Sequence, residues 1–151
     1  MIVSPDHYLI TESGEYVWSP ERIKAAWKSA STALLRLTND PKWAKVVLMV
    51  GIPASGKSTW LKKNQESDAI YFDATFTKSS ERAPIIQIAK EAGMVVEAAV
   101  MTTPIAVCKD RNACRPSGRR VPDDVVELMA AQLLGDPPKK SEGIDRVYSA
   151  R

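Results

Sequence analysis

The stretch from Val46 to Thr59 constrains the fold more than any other part of the chain. Val46-Val47-Leu48-Met49-Val50 is an unbroken apolar run, and Gly51-Ile52-Pro53-Ala54-Ser55-Gly56-Lys57-Ser58-Thr59 follows it directly. The run reads as a parallel strand buried on both faces. The loop fits G-x-x-x-x-G-K-[ST], and Ser58 to Lys63 reads as the start of a helix. Strand, glycine loop and helix in that order form a phosphate loop, whose backbone amides face a polyphosphate at a helix N-terminus. Gly51, Ala54, Ser55, Gly56, Lys57, Ser58 and Thr59 are the expected nucleotide-binding residues. Lys57 would reach the β and γ phosphates of ATP or GTP, and the Ser58 hydroxyl would ligate Mg²⁺.

A chain of 151 residues with net charge +3 is expected to form one domain with a proper core. No apolar run approaches the roughly 20 residues of a membrane span. Met1 to Asp6 lacks the basic-then-apolar layout of a signal peptide, so a cytoplasmic protein without a membrane partner is expected. Cys108 and Cys114 fall on different faces of one helix, which argues against a disulfide or a metal site. The net charge is too small to argue for nucleic acid by itself.

Strands and helices alternate along the sequence. Ile2 to Ser4 is a short strand candidate. Ser19-Pro20-Glu21 reads as N-cap, first helical residue and acidic first turn, and Ile23, Trp27, Ala30, Leu34 and Leu37 carry that helix to Leu37. Thr38-Asn39-Asp40-Pro41 breaks it. Ala69 to Phe72 forms a strand ending at Asp73. Ser80 is the expected cap of the next helix, with Pro84 in its first turn and Gly93 at its close. Met94 to Met101 is a strand, Thr103 to Arg115 a helix, Pro116 to Arg120 a basic loop, Pro122 to Leu134 a helix, and Arg146 to Ala150 a last strand. This alternation predicts an α/β fold in three layers, α/β/α, around a five-stranded parallel sheet.

Arg111 and Arg115 are four apart, on one face of their helix, with Lys109, Arg119 and Arg120 nearby. A charge run of this kind is often a solvated surface. Beside a phosphate loop it also reads as a lid, bringing cations over a transferring phosphoryl group.

Asp73-Ala74-Thr75, Ser80-Glu81-Arg82 and Ile88-Ala89-Lys90-Glu91-Ala92-Gly93 resemble the second half of phage-type polynucleotide 5′-kinase domains and the related small phosphate-loop kinases. So do Val95 to Val100, Arg111-Asn112-Ala113-Cys114-Arg115, Val121-Pro122 and Glu142-Gly143-Ile144-Asp145, together with Trp60 after the phosphate loop. The resemblance covers residues 46–151. It implies that Arg111 and Arg115 engage the ATP phosphates, and that the acceptor is a 5′-hydroxyl end of DNA or RNA.

Such kinases place a strand with a catalytic aspartate, then a long helix, after the phosphate-loop helix. Here the gap before the Tyr71 strand is too short for a strand plus a crossover helix. Val3-Ser4-Pro5-Asp6-His7-Tyr8 resembles the missing strand end, and Gly14 to Arg22 the approach to its helix. The resemblance therefore implies that residues 1–45 are that strand–helix unit, transposed ahead of residues 46–151. The short strand should then lie at the sheet edge beside Ala69–Phe72, and Asp6 would be the general base for the acceptor hydroxyl. Asp6 also reads as a simple turn cap. Asp73 reads as a magnesium or substrate-floor residue, or as a cap of its own turn. His7 reads as a surface residue. One departure concerns the acceptor: polynucleotide members usually carry an arginine three residues beyond the aspartate, where this chain has Leu9.

Three functions remain open at this level: a kinase of polynucleotide ends, a kinase of a small hydroxylated molecule, and a nucleotide-binding NTPase module without an acceptor. Lys24, Lys28 and Arg36 could line a nucleic-acid groove or simply form the solvated face of their helix.

Overall fold

The computed structural model describes residues 1–151. Five strands, β1 (Ile2–Val3), β2 (Lys45–Val50), β3 (Ala69–Asp73), β4 (Val95–Met101) and β5 (Arg146–Ala150), form one sheet in the order β1-β3-β2-β4-β5. Every neighbouring pair is parallel. The phosphate-loop strand β2 is therefore central, and β1 takes the edge beside β3 that the sequence reading expects. Ile2 lies opposite Tyr71 and Val3 opposite Phe72.

Alternation along β2 sends side chains to two cores, because successive residues of a strand face opposite sides of the sheet. Val46, Leu48 and Val50 pack with Ala30 and Leu34 of α1 (Pro20–Leu37) and with Ile85 and Ala89 of α3 (Ser79–Glu91). Val47 and Met49 face the other way, toward Leu61 of α2 (Lys57–Asn64). All of these positions are buried. This is why the β2 run lacks the polar alternation of a half-exposed strand. A third, smaller cluster joins Ile52 after β2 to Cys108 of α4 (Ile105–Ala113) and Val126 of α5 (Asp123–Gly135). It seats the α4–α5 pair above the phosphate loop.

Helix α1 begins as its sequence dictates. The Ser19 hydroxyl accepts the Arg22 amide at 3.1 Å, and Pro20 occupies the first turn, where no amide donor is required. Helix α3 departs from expectation. It starts at Ser79, not after a Ser80 cap, and Pro84 lies inside it, not in the first turn. The cap comes from a distant residue: the Asp136 carboxylate accepts both the amide and the hydroxyl of Ser79, at 2.6 and 2.7 Å. Nothing local to Ser79 announces that partner.

The same corner buries Arg82 completely. Its guanidinium donates to Glu142 Oε1 at 2.8 Å, to the Phe76 carbonyl at 2.8 Å and to the Asp136 carbonyl at 2.9 Å. Phe76 has φ +50°, a strained conformation for an aromatic residue, and the Arg82 bond pins its carbonyl there. Arg82→Met is expected to destabilise the fold by about 3–5 kcal/mol, because it leaves Glu142 and two carbonyls without their buried partner. Urea denaturation checks this through a lowered midpoint at an unchanged slope.

Candidate active site

In a parallel sheet the carboxyl ends of all strands share one rim, and ligands bind where neighbouring crossovers part. Here β2 hands the chain to the phosphate loop at that rim. Gly51 is required by space: a Cβ at this position would lie 2.6 Å from Ser55 Oγ and 2.8 Å from Met101 Cβ. Ala54 has φ +61° and Gly56 φ +99°, so the loop turns through left-handed geometry at two points. The Thr103 hydroxyl donates to the Ser55 carbonyl at 2.7 Å and braces the turn from the end of β4.

The chemistry left in the loop fits a polyphosphate. The amides of Gly56, Lys57, Ser58 and Thr59 have no acceptor within the protein, and Gly56 supplies no side-chain cap to α2. Ser55 Oγ is buried without a hydrogen-bond partner. Lys57 Nζ donates to the Gly51 and Ile52 carbonyls at 2.8 and 3.2 Å. Burial pushes its pKa down, the charges of Asp73 and Asp6 oppose that shift, and Arg115 adds to it. An arriving anion would offer this ammonium a stronger partner than two carbonyls.

Asp6 reaches the same rim through Ser4. The Ser4 hydroxyl donates to the Asp73 carbonyl at 2.8 Å and accepts the Asp6 amide at 3.3 Å. Ser4 thus caps the 3₁₀ turn Pro5–Leu9 and ties it to the end of β3. The cap of this turn is Ser4, and Asp6 projects from it, exposed. Asp73 is half-buried; burial raises its pKa, Lys57 lowers it, and Asp6 raises it further.

The loop, the two aspartates and the two arginines open on one cavity of about 1120 Å³. Ala54, Ser55, Gly56, Lys57, Ser58 and Thr59 line it, together with Asp6, Asp73, Arg111 and Arg115. Arg111 Nη1 lies 3.6 Å from where a Cβ on Gly56 would be, so this arginine lies over the loop. Gly51 sits beneath, its carbonyl turned to Lys57. Not every cation of the cluster takes part. Lys109 pairs with Glu127 and Asp123 of α5 and serves the α4–α5 packing instead. Lys24 and Lys28 do not line the cavity, and Arg36 and His7 border a separate groove beside β1. Leu9 is fully buried and presents nothing to a ligand.

The residues present also fit a magnesium ion carried in by a nucleotide. No three His, Cys, Asp or Glu side chains gather into a metal site. Ser58 and Asp73 in one cavity instead suit a hard cation that keeps phosphate and water ligands.

Sequence reasoning overlooked Ser4, which clamps the Asp6 turn to β3, and Tyr16, whose hydroxyl donates to Asp6 Oδ1 at 3.3 Å. Ser4-Pro5-Asp6 carries the serine-then-proline signature of a helical start, which could have revealed the first. No local pattern marks the second.

Residues 64–135 match a family profile described as an AAA domain. The matched stretch is slightly less than half of the chain and runs from the end of α2 through β3, α3, β4 and α4 to α5. It begins after the phosphate loop and includes Asp73, Arg111 and Arg115. The match supports nucleotide binding on a phosphate-loop fold, and an NTPase or kinase activity at that broad level. A search of curated proteins found no match. No helix is long and apolar enough to cross a membrane.

Proposed function

We propose that this protein is an ATP-dependent kinase transferring the γ-phosphate to a hydroxyl acceptor, and that the acceptor is the 5′-hydroxyl end of DNA or RNA. The observation that carries the reading is the placement of Asp6. Ser4 pins its turn to the end of β3, in the cavity that also holds Lys57, Arg111 and Arg115. An NTPase without an acceptor has no need of a second carboxylate there.

In this reading Lys57 leaves the Gly51 and Ile52 carbonyls for the β and γ phosphates, and the amides of Gly56 to Thr59 hold the phosphate chain. Magnesium, bound through Ser58 and a water shell near Asp73, would neutralise charge between the β and γ phosphates. Asp6 accepts the proton of the acceptor hydroxyl as its oxygen bonds to the γ-phosphorus. The bond from that phosphorus to the β–γ bridging oxygen breaks, and ADP leaves. Arg111 and Arg115 stabilise the charge on the transferring group. Residues 1–45 are, on this account, the transposed strand–helix unit of a single kinase domain. Parallel pairing of β1 with β3 supports that history, since it returns Asp6 to the common rim.

One observation favours a small hydroxylated acceptor instead. Leu9, buried in the core, stands where polynucleotide members carry an arginine for the substrate phosphate. The deciding experiment is transfer of label from γ-labelled ATP, or GTP in parallel, to a panel of 5′-OH DNA, 5′-OH RNA and nucleosides. Labelling of oligonucleotide ends is expected. Labelling of nucleosides alone selects the small-molecule kinase, and hydrolysis without labelling selects the NTPase.

Arg111→Ala and Arg115→Ala are each expected to lower kcat by about 10²-fold or more, with a smaller rise in the KM for ATP. Steady-state kinetics checks this. A change in KM alone makes them ordinary binding cations, and no change returns them to a solvated surface.

A further inference from the structure

Tyr16 stands between two parts of the cavity that the chain brings together from far apart. It arrives on a small hairpin in which Ile10 and Tyr16 form an antiparallel bridge and the Val17 amide donates to the Leu9 carbonyl at 2.9 Å. Arg22 of α1 clamps that hairpin from below, donating to the Val17 carbonyl at 2.9 Å and the Leu9 carbonyl at 3.3 Å. The hairpin is therefore held by backbone contacts and Arg22, without help from the Tyr16 side chain. The Tyr16 hydroxyl spends its proton on Asp6 Oδ1, at 3.3 Å. Above its ring lies the Arg119 guanidinium, 5.0 Å from the centroid, on the 3₁₀ turn Ser117–Arg119 between α4 and α5. Arg120 Nε in turn donates to the Arg115 carbonyl at 2.6 Å, joining this turn to the bend that follows α4.

We infer that Tyr16 is a positioning residue that aims the Asp6 carboxylate through its hydroxyl and latches the arginine lid over the cavity through its ring. The inference rests on Asp6 acting as the base for the acceptor hydroxyl. By occupying Oδ1, Tyr16 leaves Oδ2 as the oxygen that meets the acceptor. A phenol is a hydrogen-bond donor at neutral pH, and burial and the Asp6 charge raise the Tyr16 pKa further. The ring holds Arg119 by cation–π attraction, so lid closure and base orientation depend on one side chain. No sequence spacing joins residues 6, 16 and 119.

Two variants separate the two roles. Tyr16→Phe keeps the ring and removes the hydroxyl. It should lower the kcat for acceptor phosphorylation on the order of tenfold, the effect of losing a hydrogen bond to a charged group, with the KM for ATP unchanged. Its limited trypsin cleavage after Arg119 should match that of the native protein. Tyr16→Leu removes both contacts. Trypsin requires a free arginine side chain, so cleavage after Arg119 should quicken severalfold in this variant, a readout that needs no activity. Circular dichroism confirms that both variants are folded. If Tyr16→Phe keeps native kcat while Asp6→Asn is inactive, Tyr16 does not aim the base. Unchanged tryptic cleavage in Tyr16→Leu overturns the latch. If Asp6→Asn itself retains transfer, the base assignment fails first, and the aiming role falls with it.

Discussion

Lys57→Ala should yield a folded protein that no longer transfers phosphate. The Lys57 ammonium is the one cation held within the loop itself, and its present partners are the Gly51 and Ile52 carbonyls. Removing it takes away charge stabilisation at the phosphates from a preorganised, partly buried position. One preorganised donor in such a setting is worth about 10²–10³ in kcat, and a full positive charge no less. Stability should change by no more than about 1 kcal/mol, because two hydrogen bonds are lost while a desolvated charge is also removed. Label transfer and a urea midpoint measured on one preparation test both halves. Near-native turnover in this variant would end the kinase reading.

Asp6→Asn should abolish transfer to a hydroxyl while leaving ATP binding close to native. The amide has the shape of the carboxylate and still accepts the Tyr16 proton, but it cannot take one from the acceptor. General-base assistance contributes about 10²–10⁴-fold, and that is the loss expected in kcat. Asp6 is exposed, so the fold should not suffer. Acceptor phosphorylation and ATP affinity, measured side by side, check the prediction. An Asn variant with native kcat would return Asp6 to the status of a turn residue, and an NTPase without an acceptor would then account for the cavity better.

How far the site was legible depends on how local its determinants are. The phosphate loop is covalently contiguous: Gly51 avoids Ser55 and Met101, Gly56 supplies its left-handed turn, and Lys57 and Ser58 begin the helix. A motif confined to one strand, one turn and one helix start can be read without knowing the rest of the fold. Arg111 was legible on its helix, but the expected helix to Arg115 was too long: α4 ends at Ala113, so Arg115 reaches the cavity from the bend beyond it and not from a shared helical face. Lys109 misled because its partners, Asp123 and Glu127, belong to a different helix.

The α3 start shows the opposite case. Local propensity points to Ser80 as a cap, whereas the structure uses the carboxylate of Asp136. Arg82 looks in sequence like one more surface cation and is instead fully buried, joining Glu142, Phe76 and the turn at Asp136. Burial of a charge depends on partners distant along the chain, and no window of sequence around residue 82 contains them.

By itself, the sequence determined the five strands and their parallel class, because apolar runs and the period of their hydrophobic positions are properties of short windows. It also determined the phosphate loop and the presence of Arg111 and Arg115 near one another in the chain. Only the tertiary structure decided which groups meet at the rim. The Ser4 bond to the Asp73 carbonyl sets the Asp6 turn against β3, and the Arg22 clamp delivers Tyr16 to Asp6 beneath Arg119. Those contacts span many residues. Their energies come from hydrogen bonds and ring–cation attraction that exist only after the sheet has brought their partners together.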